Sequence, residues 1–249
     1  MQDEQEIRRK ICQIGRRMYD KGFVAANDGN ISHRLGEDRF LCTPTGVSKG
    51  FMNPQDLPIV DGRGEQISGP IRRTVEVLLH LTIYDALPEV MGVAHCHAPH
   101  ATAFAASGMA LPSCILPEVE VLLGPVPTIG YDNPGSESLS RAVRPHLQQG
   151  VNTILLANHG PVGFDKTLEL AFYHLETIDM YCRMLMLIKQ FGSIQRLSEA
   201  KVRQLLAAKK RMGLDDPRLH GAEVYPPPEQ NDYLRYFLDR GTLGTAPEL

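Results

Sequence analysis

Val90-Met91-Gly92-Val93-Ala94-His95-Cys96-His97 decides how this chain is read. Its first six residues form a short, largely apolar run just after Pro88, which predicts a buried strand over Val90–His95. Residues two apart on a strand face the same side, so His95 and His97 point together while Cys96 points back into the core. A second apolar run, Thr153–Ala157, predicts another buried strand and leads straight into Asn158-His159-Gly160. Two strand ends can therefore bring three imidazoles to one place.

Upstream, Ile7, Ile11, Ile14 and Met18 recur at helical spacing, which predicts a helix over residues 3–21 stopped by Gly22. Strand-like runs follow at Asn30–Leu35, Arg39–Thr43 and Leu57–Val60, and Asp61-Gly62-Arg63-Gly64 makes a hairpin turn into Glu65-Gln66-Ile67. Thr74 fits the N-cap of a helix running to about Leu87, where Pro88 ends it. Downstream, helices are expected over Ala98–Ser107, Glu137–Gln149 (shortened or kinked by Pro145) and Leu168–Phe191, with a strand at Pro125–Ile129. Ser198 opens a last helix that Gly213 closes, and the Pro-rich tail from about residue 214 reads as mobile or packed on a neighbouring subunit. Hairpin-linked strands precede any βαβ alternation, and there is no Gly-rich dinucleotide fingerprint or P-loop. This excludes a Rossmann or P-loop enzyme and predicts an α/β fold with a mixed or mainly antiparallel sheet covered by helices.

The chain has 249 residues, 43% of them hydrophobic, enough for a core that needs neither metal nor disulfides to hold it. A formal net charge of −3 gives no electrostatic reason for a nucleic-acid partner. No apolar run reaches the length of a membrane span, and the charged N-terminus MQDEQEIRRK is not a secretory signal. The 5 cysteines, 12, 42, 96, 114 and 182, contain no CxxC pair and read as free thiols in a reducing cytoplasm.

A His-x-His pair by itself also fits two unrelated histidines. His159 at a second strand end shifts the reading to one divalent ion held by His95, His97 and His159. Three protein ligands with one open position is the pattern of a catalytic site, whereas structural sites are usually closed by four. Histidine ligands suit zinc, manganese, cobalt or iron, so these residues alone do not choose the metal. His100 reads either as a donor behind the ligands or as a helix-start histidine. His80, one turn after Glu76, reads as a group that orients it.

Gly29-Asn30-Ile31-Ser32, Thr43-Pro44-Thr45-Gly46, Glu76 near a helix start, His95-Cys96-His97 and Ala157-Asn158-His159-Gly160 occur together, in this order. Their combination resembles the class II aldolase/adducin family, which includes fuculose-1-phosphate aldolase and ribulose-5-phosphate 4-epimerase. The resemblance covers roughly Glu6 to Phe191. It implies a single three-layer α/β/α domain spanning 1–249 with a central, mostly antiparallel sheet, and a cytoplasmic homotetramer with active sites between subunits. It further implies that the three histidines hold one divalent ion per chain, zinc first with manganese or cobalt as alternatives, that Glu76 moves protons, and that Asn30, Thr45, Gly46 and Thr74 hold a substrate phosphate. Their chemistry suits that role, since Asn and Thr donate hydrogen bonds and Gly46 admits close backbone approach.

This chain departs from the family's aldolases in two places. Where they carry two serines it has Thr74-Val75, which removes one hydroxyl, although Arg72 and Arg73 stand next to the pair. The segment Ser113–Glu120 lacks the tyrosine acid of those aldolases, leaving Glu118, Glu120 or Tyr225 as the second acid or base. The resulting expectation is a metal-dependent aldolase that reversibly cleaves a ketose 1-phosphate to dihydroxyacetone phosphate and an aldehyde. A sugar-phosphate 4-epimerase or a 3-oxo-acid decarboxylase on the same scaffold is the first alternative. A non-catalytic adducin-like binding module is the second, opposed by the complete set of three histidines and Glu76.

Overall fold

The computed structural model describes residues 3–147 and 150–246. Its elements in chain order are α1 (Glu4–Asp20), β1 (Asn30–Gly36), β2 (Arg39–Cys42), β3 (Ile59–Val60), β4 (Gln66–Ser68), α2 (Val77–Ala86), β5 (Gly92–His95), α3 (Pro99–Ser107) and α4 (Pro117–Leu122). There follow β6 (Thr128–Ile129), α5 (Glu137–Val143), β7 (Thr153–Leu156), β8 (Gly160–Asp165), α6 (Leu168–Phe191), β9 (Ile194–Arg196), α7 (Glu199–Arg211), α8 (Asp232–Leu238) and β10 (Leu243–Thr245). Eight strands form one sheet in the order β4-β3-β2-β1-β5-β8-β7-β6. Every neighbouring pair is antiparallel except β6 with β7.

Strand alternation sorts the apolar side chains into two cores. Ile31, Leu41, Ala94 and Leu155 face a cluster shared with α1, α3 and α6. Phe40, Cys42, Val93, Ile154, Leu156 and Val162 face a cluster shared with α2 and α5. The sheet is thus covered by helices on both faces, the three-layer arrangement expected from the sequence. Cys96 is fully buried, as its place between the two histidines requires. No helix among the described residues is long and apolar enough to cross a membrane.

The start of α2 and the tail differ from expectation, and a third element, α5, is shortened as its proline predicted. The helix assigned to start at Thr74 starts at Val77, with Glu76 in the N-cap position. The cause is a short clamp between two loops: Pro44 and Arg73 pair as an antiparallel bridge, and the Thr74 amide donates to Thr43 O at 3.0 Å. Thr74 is held extended and the helix waits two residues. The helix expected over Glu137–Gln149 is α5 followed by a 3₁₀ turn at Arg144–His146, as Pro145 dictates; Gln148 and Gln149 lie outside the described residues. The tail after residue 214, expected to be mobile or packed on a neighbour, folds back on its own chain. Tyr233, Leu234 and Phe237 of α8 enter the first core, the Tyr233 hydroxyl donates to Leu185 O at 2.5 Å, and β10 pairs in parallel with β9.

Candidate metal centre

His95 closes β5, and its partner in the β1 register is Asn30. β7 and β8 form a hairpin, and the residues linking them, Ala157-Asn158-His159, carry the third histidine. Asn158 adopts positive φ (55°), and its amide donates to Ala105 O at 3.0 Å, tying the turn to α3. Gly160 has φ 150°, and a Cβ there would lie 2.5 Å from Cys96 O, so only glycine lets the hairpin close against the His-Cys-His segment. In this way two tight backbone contacts bring His159 to His95 and His97.

One ring nitrogen from each of His95, His97 and His159 lies within 4.8 Å of the others. The His95 and His159 Nε2 atoms are 3.2 Å apart. His95 Nδ1 lies 2.9 Å from Pro161 O, and a carbonyl only accepts, so Nδ1 carries the hydrogen and Nε2 is left bare toward the other rings. Burial, reinforced by His159 and His97, holds the His95 imidazole well below its ordinary range. Burial also lowers His159, against the pull of Glu76. Neutral rings with converging lone pairs are what a cation needs. Asp28 stands 3.4 Å from His97 Nδ1, where it can fix that ring.

Glu76 completes the cluster. Its Oε1 lies 3.3 Å from His159 Nε2, and its Oε2 is 3.9 Å from His95 Nε2. The residue is 6% exposed, and Oε1 is buried with no hydrogen-bond partner. A buried carboxylate oxygen without a donor is costly unless a cation faces it. Three imidazoles and this orphaned oxygen fit a divalent ion, and the donor set of nitrogen with one oxygen suits zinc, manganese or cobalt alike.

The residues expected to hold a phosphate are brought together in part. The Pro44–Arg73 bridge lays the 43–46 loop beside the 72–75 loop, and the Thr45 amide donates to Arg72 O at 2.9 Å. Gly46 sits exposed on the outer turn with φ 70°. Thr74 is buried, and its hydroxyl accepts from the Glu76 amide at 3.3 Å. The two arginines separate in role: Arg73 donates to Gly64 O and Thr74 O at 2.8 and 3.0 Å, whereas Arg72 is exposed. Lys49 is 1% exposed and donates to Asn27 O at 2.9 Å and Val47 O at 2.6 Å, pinning this region to the loop before Asn30. Asn30 itself is turned inward, its amide donating to Glu76 Oε2 and its carbonyl facing His80 at 2.6 Å.

The three candidate second acids are placed otherwise. Glu120 is 2% exposed, pairs with Arg218, and accepts from the Cys114 amide. The Tyr225 hydroxyl donates to Leu197 O at 3.0 Å beneath the Arg196 guanidinium. Glu118 is exposed on α4. His100, the expected donor behind the ligands, bonds Asp179 of α6 at 2.9 Å instead, and the same carboxylate accepts from the first amides of α3.

The class II aldolase and adducin N-terminal domain family matches residues 9–186. The chain belongs to this family. Among its curated relatives is a 3-oxo-tetronate 4-phosphate decarboxylase of Cupriavidus necator, 32% identical over 193 residues, covering 76% of this chain and 88% of the relative. An L-fuculose phosphate aldolase of Methanococcus maripaludis is also 32% identical, over 170 residues, 68% of this chain and 89% of the relative. Among solved structures, YgbL of Escherichia coli, described as an aldolase, epimerase or decarboxylase, superposes with a TM-score of 0.75 at 27% identity, covering 81% of this chain and 98% of that one. An L-fuculose 1-phosphate aldolase reaches the same TM-score, 0.75, at 21% identity and shares the fold. This class II aldolase relative is therefore a member of an enzyme family of aldolases and decarboxylases, one that typically binds a divalent metal.

Two features of the site lay outside the sequence reading: Asp28 beside His97, and the link from Glu76 to His80 through Asn30 rather than directly. The second had a signal. Asn30 and Ser32 are polar residues two apart on one face of a buried strand, so both had to meet a polar partner on the helix above.

Proposed function

We propose that the chain is a divalent-metal lyase that breaks a carbon–carbon bond next to a carbonyl, and that its reaction is the decarboxylation of a phosphorylated 3-oxo sugar acid. The observation that carries this is the number of proton-moving groups. Among the described residues, Glu76 is the one member of the expected acid–base set that reaches the histidine cluster, at His159 and His95; Glu120 is paired with Arg218 and Tyr225 is bonded to Leu197 O. Loss of CO₂ needs one proton, delivered to carbon. Aldol cleavage needs a second group to handle the proton of the aldehyde oxygen.

The residues divide the work as follows. His95, His97 and His159 would hold a divalent cation, which would supply the sink for the electron pair of the breaking bond. The C1–C2 bond breaks, CO₂ leaves, its bonding pair passes to C2 in conjugation with the C3 carbonyl, and Glu76, after taking a proton from solvent water on Oε1, passes that proton to C2 and returns to the carboxylate. Asn30 fixes the opposite oxygen of that carboxylate. Thr45, Gly46 and Thr74, with Arg72 exposed beside them, would take the phosphate, which gives the remote part of the substrate an anchor for orienting the reacting carbons.

Aldol cleavage of a ketose 1-phosphate is the second reading. It is favoured by the similarity to L-fuculose phosphate aldolases and would draw its second acid from a neighbouring subunit of a homotetramer. The test is product identity with metal-reconstituted protein. Release of CO₂ from phosphorylated 3-oxo sugar acids, without aldehyde from ketose 1-phosphates, supports the proposal. Dihydroxyacetone phosphate and an aldehyde as the products would replace it with the second reading.

A further inference from the structure

Behind Glu76 the buried polar side chains continue past Asn30. His80 Nε2 lies 2.6 Å from Asn30 Oδ1, His80 Nδ1 lies 2.7 Å from Ser32 Oγ, and Ser32 Oγ lies 2.8 Å from the Tyr84 hydroxyl. Asn30, Ser32, His80 and Tyr84 are 3, 1, 0 and 1% exposed. They fill the space between β1 and α2, where neighbouring positions carry Val77, Leu79, Ile83 and Val93. Packing would be served as well by apolar side chains of the same volume. A row of four polar groups in this position is tolerable only when every donor meets an acceptor.

Each group has one consistent assignment. The Glu76 carboxylate only accepts, so Asn30 must turn its Nδ2 toward it and its Oδ1 toward His80. His80 Nε2 must then carry the ring hydrogen. Burial pushes His80 down to about 3, so the ring is neutral and its Nδ1 is a bare acceptor. Ser32 gives its single hydrogen to that Nδ1, and Tyr84 gives its own to Ser32. The hydrogen bonds therefore run one way, from Tyr84 through Ser32, His80 and Asn30 to Glu76.

We propose that His80 is a positioning residue for Glu76: its Nε2–H locks the Asn30 amide in the one orientation that presents a donor to Glu76 Oε2, leaving Oε1 bare toward His159. This rests on reading Glu76 as the proton carrier. Without the lock, Asn30 is free to rotate its amide and present Oδ1 to the carboxylate, which repels it and loosens the oxygen that must meet the reacting carbon. His80 touches neither metal nor substrate, and Ser32 and Tyr84 act only by holding its ring.

The zinc-reconstituted protein labelled with ¹⁵N-histidine tests the direction of the chain. The His80 signals, identified by their loss in His80→Leu, are expected to report a neutral ring with hydrogen on Nε2, unchanged between about pH 6 and 8. Hydrogen on Nδ1, or titration within that range, overturns the proposal. In turnover, His80→Leu is expected to lose about 10–100-fold in kcat, the scale of an outer-shell orienting partner, with metal content and KM unchanged. His80→Gln, which keeps a donor toward Asn30, is expected to recover most of it. Equal kcat for Leu and Gln overturns the proposal, and if the Leu variant does not fold, Gln against Met makes the same comparison. Full turnover in Glu76→Gln would instead remove the reading of Glu76 as proton carrier, a result distinct from the ring's tautomer.

Discussion

Replacing Glu120 by Gln separates a structural carboxylate from a chemical one. Glu120, Arg218, Asp216 and Lys209 form a buried cluster in which Arg218 faces both acids and Lys209 Nζ lies 2.9 Å from Asp216 Oδ2. The four are 2, 5, 0 and 1% exposed, and their formal charges cancel. Glu120→Gln keeps the volume and an acceptor for the Cys114 amide but leaves one uncompensated positive charge out of water. Breaking a buried pair in this way costs about 3–5 kcal/mol, and since Arg218 keeps its two bonds to Asp216, the lower end, about 3 kcal/mol, is expected. For a chain of this size that is a fall of roughly 6–12 °C in Tm. The assay is thermal unfolding alongside kcat at a temperature where both proteins are folded. Unchanged kcat with a lowered Tm is expected. A drop of 10²-fold or more in kcat, the scale of a general acid–base group, with Tm unchanged would refute the assignment and return Glu120 to the chemistry.

Three further outcomes follow from the site. His97→Ala removes one of the three imidazoles, so metal content is expected to fall from about one ion per chain while the fold persists, because neither core contains the ion; full occupancy by elemental analysis would refute the ligand set. Thr45→Ala and Arg72→Ala are each expected to raise KM for a phosphorylated substrate with little change for its dephospho analogue, and an equal effect on both would place the phosphate elsewhere. Lys49 carries a pH signature: burial pushes its amine down from 10.5 to about 8, with Asp28 and Glu76 pulling back up. Between pH 8 and 10.5 the unfolded chain binds more protons than the folded one, so stability gains a positive slope with pH there that Lys49→Met lacks; parallel curves for the two in denaturant titrations would contradict it.

The chain's periodicity carried most of the fold. The apolar runs at Val90–His95 and Thr153–Ala157, the hairpin at Asp61–Gly64 and the long face of α6 are local signals, and each element sits where its pattern placed it. What was hidden depends on partners far away in sequence. Nothing local announces β8, because Gly160-Pro161-Val162-Gly163 contains two glycines and a proline and becomes a strand only between β5 and β7. The start of α2 is set by Thr43 and Pro44, some thirty positions earlier, which hold Thr74 extended against its own capping propensity. The Pro-rich tail reads as mobile or packed on a neighbouring subunit, yet α8 supplies Tyr233 and Phe237 to the first core. The meeting of His95, His97 and His159 was legible because strand ends fix their direction. The role of Glu120 was not, because its partner Arg218 lies 98 residues away.

Glu76 shows how such non-local contacts decide chemistry. An acid at a helix start has an ordinary explanation, since it complements the positive end of the helix. In that role its side chain would accept from the first amides of α2, as Thr167 does for α6 and Ser198 for α7. Glu76 makes no such bond. Its carboxylate is turned away from its own helix toward His95 and His159 and is held there by Asn30, a residue of the sheet. The helix forgoes a cap, and a buried oxygen is left without a donor. Both are unfavourable for folding alone, and a cation shared with the histidines would satisfy the bare oxygen. Under the proposed function, this placement of one side chain at the meeting point of three elements is what would let Glu76 carry a proton instead of capping its helix.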